Sequence, residues 1–187
     1  MNHPTPGEII DQYYPAGTPL RDIYITHCRA VADLAVRIVS ERGLDVNTQL
    51  VEDAAMLHDI GIVRCNAPGI HCYGTEPYLR HGINGAEMLR ALGAPEEWAR
   101  VAERHTGAGL SREEIIAGNL PLPHRDFLPE SMVERLVCYA DKFYSKTPGR
   151  LTEAKPLERV RASMAAFGPE QSERFEAMHR EFGINPD

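Results

Sequence analysis

At 187 residues, with 43% apolar and 25% charged side chains, the chain has the composition of a globular domain with a sizeable core, neither disordered nor fibrous. Its net charge of −7, from 20 Lys and Arg against 27 Asp and Glu, argues against duplex nucleic acid as a partner but leaves room for a small phosphorylated ligand. No apolar run approaches the roughly 18 residues of a membrane span. Met1–Gly7 lacks a secretory pattern, and the four cysteines form no C-x-x-C pair, so reduced thiols and a cytoplasmic location are expected.

Thr5-Pro6-Gly7-Glu8 has capping-box form and predicts a short helix to about Tyr13, broken by Pro15-Ala16-Gly17-Thr18-Pro19. A long helix is expected from about Leu20 to Arg42, stopped by Gly43, with the apolar stripe Val31, Leu34, Ala35, Ile38 and Val39. The next runs from about Thr48 to His58 and is ended by Gly61. From Val63 to Arg80 the chain reads as an irregular loop, in which His71 and Tyr73 are candidates to shape a pocket and Cys65 and Cys72 are weak candidates for metal. Helices follow at about Gly82–Leu92 and Pro95–His105, and Ser111-Arg112-Glu113-Glu114 opens a short one through a second capping box. Leu120–Pro129 holds three prolines and cannot be helix interior. A long helix over about Glu130–Lys146 and two more reaching Phe182 complete the chain. Strand-like alternation is nearly absent. The expected fold is therefore all-α, one domain over residues 1–187 of about eight helices, with a core over about 20–146 and C-terminal helices over 155–182 packed on it. Leu157, Val160, Met164, Phe175, Met178 and Phe182 are expected to cover that core, a partner copy in a homo-oligomer being the alternative.

Ionisable residues sit on the apolar faces. His27 precedes Val31 by four and Leu34 by seven; His58 follows Ala54 and Ala55; His105 follows Val101 and Ala102; Asp141 follows Val137 by four. Asp59 adjoins His58 at a helix end, and His81 opens another helix. One such histidine is ordinarily a satisfied core residue. Six such groups facing one core would need several independent rescues, since burying an unpaired carboxylate costs several kcal/mol or forces it neutral. A shared metal centre satisfies them together. Imidazole and carboxylate donors without thiolate suit divalent Fe, Mn, Ni, Co or Zn, and six ligands suit two ions better than one, with Asp59 as the bridging carboxylate.

His27, then His58-Asp59-Ile60-Gly61, then Asp141 in Ala140-Asp141-Lys142, resembles the H…HD…D signature of the HD superfamily in its HDIG form. With His81 and His105 between, it resembles the subset that binds two metals. Met56–Ile62, Glu103–Gly107 and Leu120–Asp126 are similar to a group of small bacterial and archaeal HD proteins classed as phosphohydrolases. The resemblance implies a helical HD fold, a metal centre at these positions, and hydrolysis of a phosphoester or phosphoanhydride by a metal-activated hydroxide. It leaves the substrate, nucleotide-like in many HD proteins, unnamed. One departure is that Ile62 and Val63 follow the motif where many HDIG proteins carry lysine; Arg64 is the nearest cation.

Asp59 is the expected catalytic carboxylate, and Lys142 and Arg104, each beside a ligand, are candidates to contact phosphate. Arg125 and His124 lie in the proline-stiffened loop and are expected to bind substrate as part of a lid; His3 and His179 read as surface residues. No P-loop, dinucleotide fingerprint or nucleophile elbow is present. Two other readings share the ligands. One is an HD-type diiron oxygenase acting on a small polyol or phosphonate, with Tyr13, Tyr14 or Tyr24 controlling O₂ access. The other is a non-catalytic nucleotide-binding regulatory module.

Overall fold

The computed structural model describes residues 3–184. Thr5 caps α1 (Pro6–Tyr13), its backbone N–H donating to Glu8 Oε2 at 2.8 Å in the expected capping box. Thr18 caps α2 (Pro19–Arg42), which stops at Gly43 in the left-handed conformation at φ 61°. Asn47 caps α3 (Thr48–Leu57), and a tight 3₁₀ turn over Ile60–Arg64 follows. The stretch expected to be irregular contains a small antiparallel hairpin, β1 (Asn66–Ala67) with β2 (Cys72–Tyr73), in which Asn66 faces Tyr73 and Ala67 faces Cys72. Then come α4 (His81–Ala91), α5 (Glu96–Arg104), α6 (Arg112–Ala117), α7 (Met132–Asp141), α8 (Leu157–Phe167) and α9 (Pro169–Phe182). With nine α-helices and one two-stranded sheet among the described residues, the protein is predominantly helical, as the periodicity predicted.

Helix α2 packs on α3 and α7, α5 on α3, α4 and α7, and α9 on α7 and α8, while the Ile60–Arg64 turn nests against α4. Val31, Ala35, Ile38, Leu57, Leu89, Ala102, Leu136 and Phe175 form part of the fully enclosed centre. Close backbone approach is built in at Gly61, where an added Cβ would collide with the His81 carbonyl oxygen and the Gly85 amide. Gln171 and Arg174 of α9 tie down the loop after α5: Gln171 Oε1 accepts from the Ala108 amide at 2.7 Å, and Arg174 donates to the carbonyls of Ala108 and Gly109. Val160, Met164, Phe175, Met178 and Phe182 are buried within the chain.

The helix expected to reach Lys146 ends at Asp141. Lys142, Phe143 and Tyr144 bond back three residues rather than four, and Lys155 supplies the stop. Its Nζ donates to the carbonyls of Lys142 and Tyr144, both at 3.1 Å, and its backbone N–H donates to Phe143 O at 2.7 Å. A distant lysine thus caps the carbonyls that a longer helix would have used.

Candidate metal centre

Five helices converge on one point. His27 projects from the middle of α2; His58 and Asp59 follow the end of α3; His81 is the first residue of α4; His105 closes α5; Asp141 is the last residue of α7. All six are buried. Their donor atoms form two groups that share Asp59, the atoms within each group lying within 4.8 Å of one another. In the first, Asp59 Oδ2 lies 3.2 Å from both His27 Nε2 and His58 Nε2, and Asp141 Oδ1 lies 3.1 Å from His27 Nε2 and 3.5 Å from His58 Nε2. In the second, Asp59 Oδ1 lies 3.3 Å from His105 Nε2 and 3.5 Å from His81 Nε2. One carboxylate therefore turns one oxygen to each group.

Three rings are aimed by backbone carbonyls. Nδ1 of His58, His81 and His105 sits 2.6, 2.7 and 2.8 Å from the carbonyl oxygens of Ala55, Tyr78 and Ala102. Carbonyls only accept, so Nδ1 carries the proton and Nε2 presents its lone pair in each neutral ring. His81 Nε2 and His105 Nε2 then face each other at 3.0 Å. Two lone pairs at that separation repel unless a proton or a cation lies between them. A proton is disfavoured, because burial and then the neighbouring His105 push the His81 pKa down to about 3, and burial lowers that of His105. In the other group both His27 nitrogens and His58 Nε2 are enclosed without a partner in hydrogen-bond geometry. Unpaired buried polar atoms of this kind are costly, and the two groups fit metal ions.

The carboxylates carry charge. Burial would raise Asp59, but the Lys146 ammonium, and after it His58, hold it well below the usual carboxylate range. For Asp141 burial is likewise overcome, by Lys142 and then Lys146. Lys146 Nζ is 2.7 Å from Asp59 Oδ2, and Lys142 Nζ is 2.8 Å from Asp141 Oδ2 and donates to His105 O at 3.0 Å. His58 is held well above its ordinary pKa: burial opposes protonation, and Asp59 and Cys28 outweigh it.

Beside the ligands opens a cavity of about 770 Å³ whose lining includes Asp141, Lys142, Lys146 and Lys155. Lys146 and Lys155 were not anticipated as site residues. Lys146 stands four residues after Lys142, a spacing that could have drawn attention; Lys155 gave no signal, since only the returning loop brings it here. Of the remaining candidates, Lys142 lines the cavity, whereas Arg104, Arg125 and His124 lie outside its lining. Arg104 is engaged by Glu130 at 2.9 Å and Glu134 at 3.2 Å, and Arg125 by Glu103 at 2.8 Å and the face of Phe127. His124 is exposed, as are His71 and Tyr73. Cys65 and Cys72 are buried free thiols directed at backbone carbonyls. His3 is exposed, as expected of a surface residue, and touches Trp98 edge-on; His179 is half-buried, its Nδ1 2.8 Å from Tyr139 OH. Tyr14 and Tyr24 direct their hydroxyls to Ile60 O and Met56 O, while Tyr78 stacks on His81 with ring centroids 4.8 Å apart.

The family model for the HD domain matches residues 24–145. The chain belongs to the HD domain family. This HD domain is 38% identical over 120 residues to an uncharacterised protein of Methanocaldococcus jannaschii, the match covering 63% of each chain. It is 34% identical over 136 residues to a tRNA (cytidine(56)-2'-O)-methyltransferase of Thermoplasma volcanium, covering 73% of this chain and 35% of that one. The corresponding enzyme of Picrophilus torridus is 35% identical over 124 residues, or 66% of this chain and 32% of that one. The match thus spans less than two thirds of the first relative and about a third of the two methyltransferases. In fold the chain is similar to the HD domain of the L. monocytogenes phosphodiesterase PgpH. The TM-score is 0.56 at 18% identity, covering 99% of this chain and 91% of that one. For the same domain in complex with Cyclic-di-AMP the TM-score is 0.50 at 14% identity, covering 89% and 94%. No helix among the described residues is long and apolar enough to cross a membrane.

Proposed function

We propose that the chain is a metal-dependent phosphohydrolase acting on a phosphoester or phosphoanhydride of a small, nucleotide-like substrate. The observation that carries the reading is the cavity in which Lys142, Lys146 and Lys155 line the space next to Asp141, itself a member of one of the two His/Asp groups. His27, His58, Asp59 and Asp141 would hold one divalent ion and Asp59, His81 and His105 a second, drawn from Fe, Mn, Ni, Co or Zn. Such ions, when bound, supply Lewis-acid charge to phosphoryl oxygens and lower the pKa of water. The protein's own part is positioning and charge. Lys146 and Lys155 offer ammonium groups to phosphate oxygens, and Lys142 steadies Asp141 and the His105 carbonyl. Arg104, Arg125 and His124 are outside the cavity lining and have no part in this reading. PgpH, similar in fold, is a phosphodiesterase crystallised with Cyclic-di-AMP, which makes phosphoester hydrolysis the class to test first.

Protein purified without added metal, analysed for its metals and then assayed for phosphate release on a phosphoester panel, is expected to turn over at least one compound. Lys146→Met should lower kcat/KM about a hundredfold. O₂ consumption by the reduced metal centre without phosphate release would replace this reading with an oxygenase. Nucleotide binding with no turnover of any compound would replace it with a regulatory module.

A further inference from the structure

The cavity's lining divides into two chemistries. One part is Asp141 with the three lysines; another is Leu79, Leu110, Leu120, Val160, Met164 and Phe167. The polar side chains that α6, α8 and α9 contribute are already engaged. Gln171 Oε1 accepts from the Ala108 amide, and its Nε2 donates to Gly109 O and Glu114 Oε1. Glu114 also binds Arg174 and the Ser111 amide, and Ser163 Oγ donates to Arg159 O. Thr106 and Tyr144, which add hydroxyls to the lining, come from the segments that carry His105 and the lysines. Phe167, the last residue of α8, is 72% exposed although it lines the cavity. An aromatic ring left in water gains from covering its face with another apolar surface. The volume of about 770 Å³ is that of a small-molecule site.

We propose that the site selects its phosphoester by the apolar area of the organic group rather than by hydrogen-bonded recognition of a particular base, and that α8, through Phe167, sets this preference. The inference rests on the phosphohydrolase reading and deepens it. Residues 157–167 lie beyond the matched residues 24–145, so this selectivity is built outside the part of the chain that the family model describes. Apolar contact discriminates by size and shape, whereas strong discrimination among bases needs free donors and acceptors aimed at their edges.

Phosphonates test this because their P–C bond resists hydrolysis. Binding of methylphosphonate, phenylphosphonate and 1-naphthylphosphonate to the metal-loaded full chain is measured by calorimetry. The naphthyl compound is expected to bind about tenfold or more tightly than the methyl compound. In Phe167→Ala the ratio should fall to within about threefold, and Phe167→Leu should restore most of it. Phe167 is exposed, so neither variant disturbs the core. The four nucleoside 5′-monophosphates should compete within about threefold of one another. Equal binding of the methyl and naphthyl compounds would overturn the inference while leaving phosphate recognition standing, and binding of neither would overturn both. A preference that survives in Phe167→Ala, or a strong preference for one base, would also overturn it.

Discussion

Asp59 turns one carboxylate oxygen toward His27 and His58 and the other toward His81 and His105. If it serves both groups, removing it should behave differently from removing a ligand of one. Elemental analysis is expected to find two ions per chain in the unaltered protein, none in Asp59→Ala, and one in His81→Ala or His105→Ala; full retention in Asp59→Ala would reject the site. Proton competition gives a second test. His58 is held above its ordinary value of 6.5, so its proton stabilises the metal-free fold fully below pH 6.5, and that contribution is lost as pH rises through the higher folded-state value. A metal ion needs that ring deprotonated, so metal affinity should strengthen as pH rises through and above 6.5. A flat affinity from pH 6 to 9 would exclude His58 as a ligand. His27, His58, His105 and Asp141 could be picked out from helical spacing on apolar faces. Of the lysines lining the cavity, Lys142 is marked by its place beside Asp141 and Lys146 only by its spacing from Lys142, whereas Lys155 could not be found, because only the returning loop brings it there.

The turn after α3 shows why the HDIG motif contains a glycine. Gly61 lets the Ile60–Arg64 turn press on the start of α4, and this contact sets Asp59 beside His81. A Cβ there meets the His81 carbonyl and the Gly85 amide, both backbone and unable to swing aside. Gly61→Ala is therefore expected to destabilise the fold by about 3 kcal/mol, measured by urea unfolding, and to weaken the second ion more than the first. An unchanged midpoint would mean that the turn can shift freely. Other element boundaries followed from local rules: Thr5 and Ser111 cap where their side chains can accept from an amide three residues on. The stop of α7 at Asp141 did not, because Lys155, 14 residues away in sequence, closes its carbonyls.

On the scale of the whole molecule, the facing lone pairs of His81 and His105 and the unpartnered ring nitrogens of His27 and His58 oppose folding, and a bound cation would relieve them. Metal that binds only the folded chain should raise its stability by about 2.7 kcal/mol at a hundredfold excess over Kd. For a chain of this size that is about 5–10 °C in Tm, reversed by chelator and absent in Asp59→Ala. A Tm insensitive to chelator would contradict it. The sequence by itself determined the helical class, the six buried ionisable groups and the HDIG identity of the motif, since helical period, capping chemistry and the cost of burying charge are local or additive. Only the tertiary structure decided which side chains meet each oxygen of Asp59, that His81 and His105 oppose each other's lone pairs, and that Lys146 and Lys155 join Lys142 along one cavity. Those relations depend on distances between elements far apart in the chain, which no periodicity encodes.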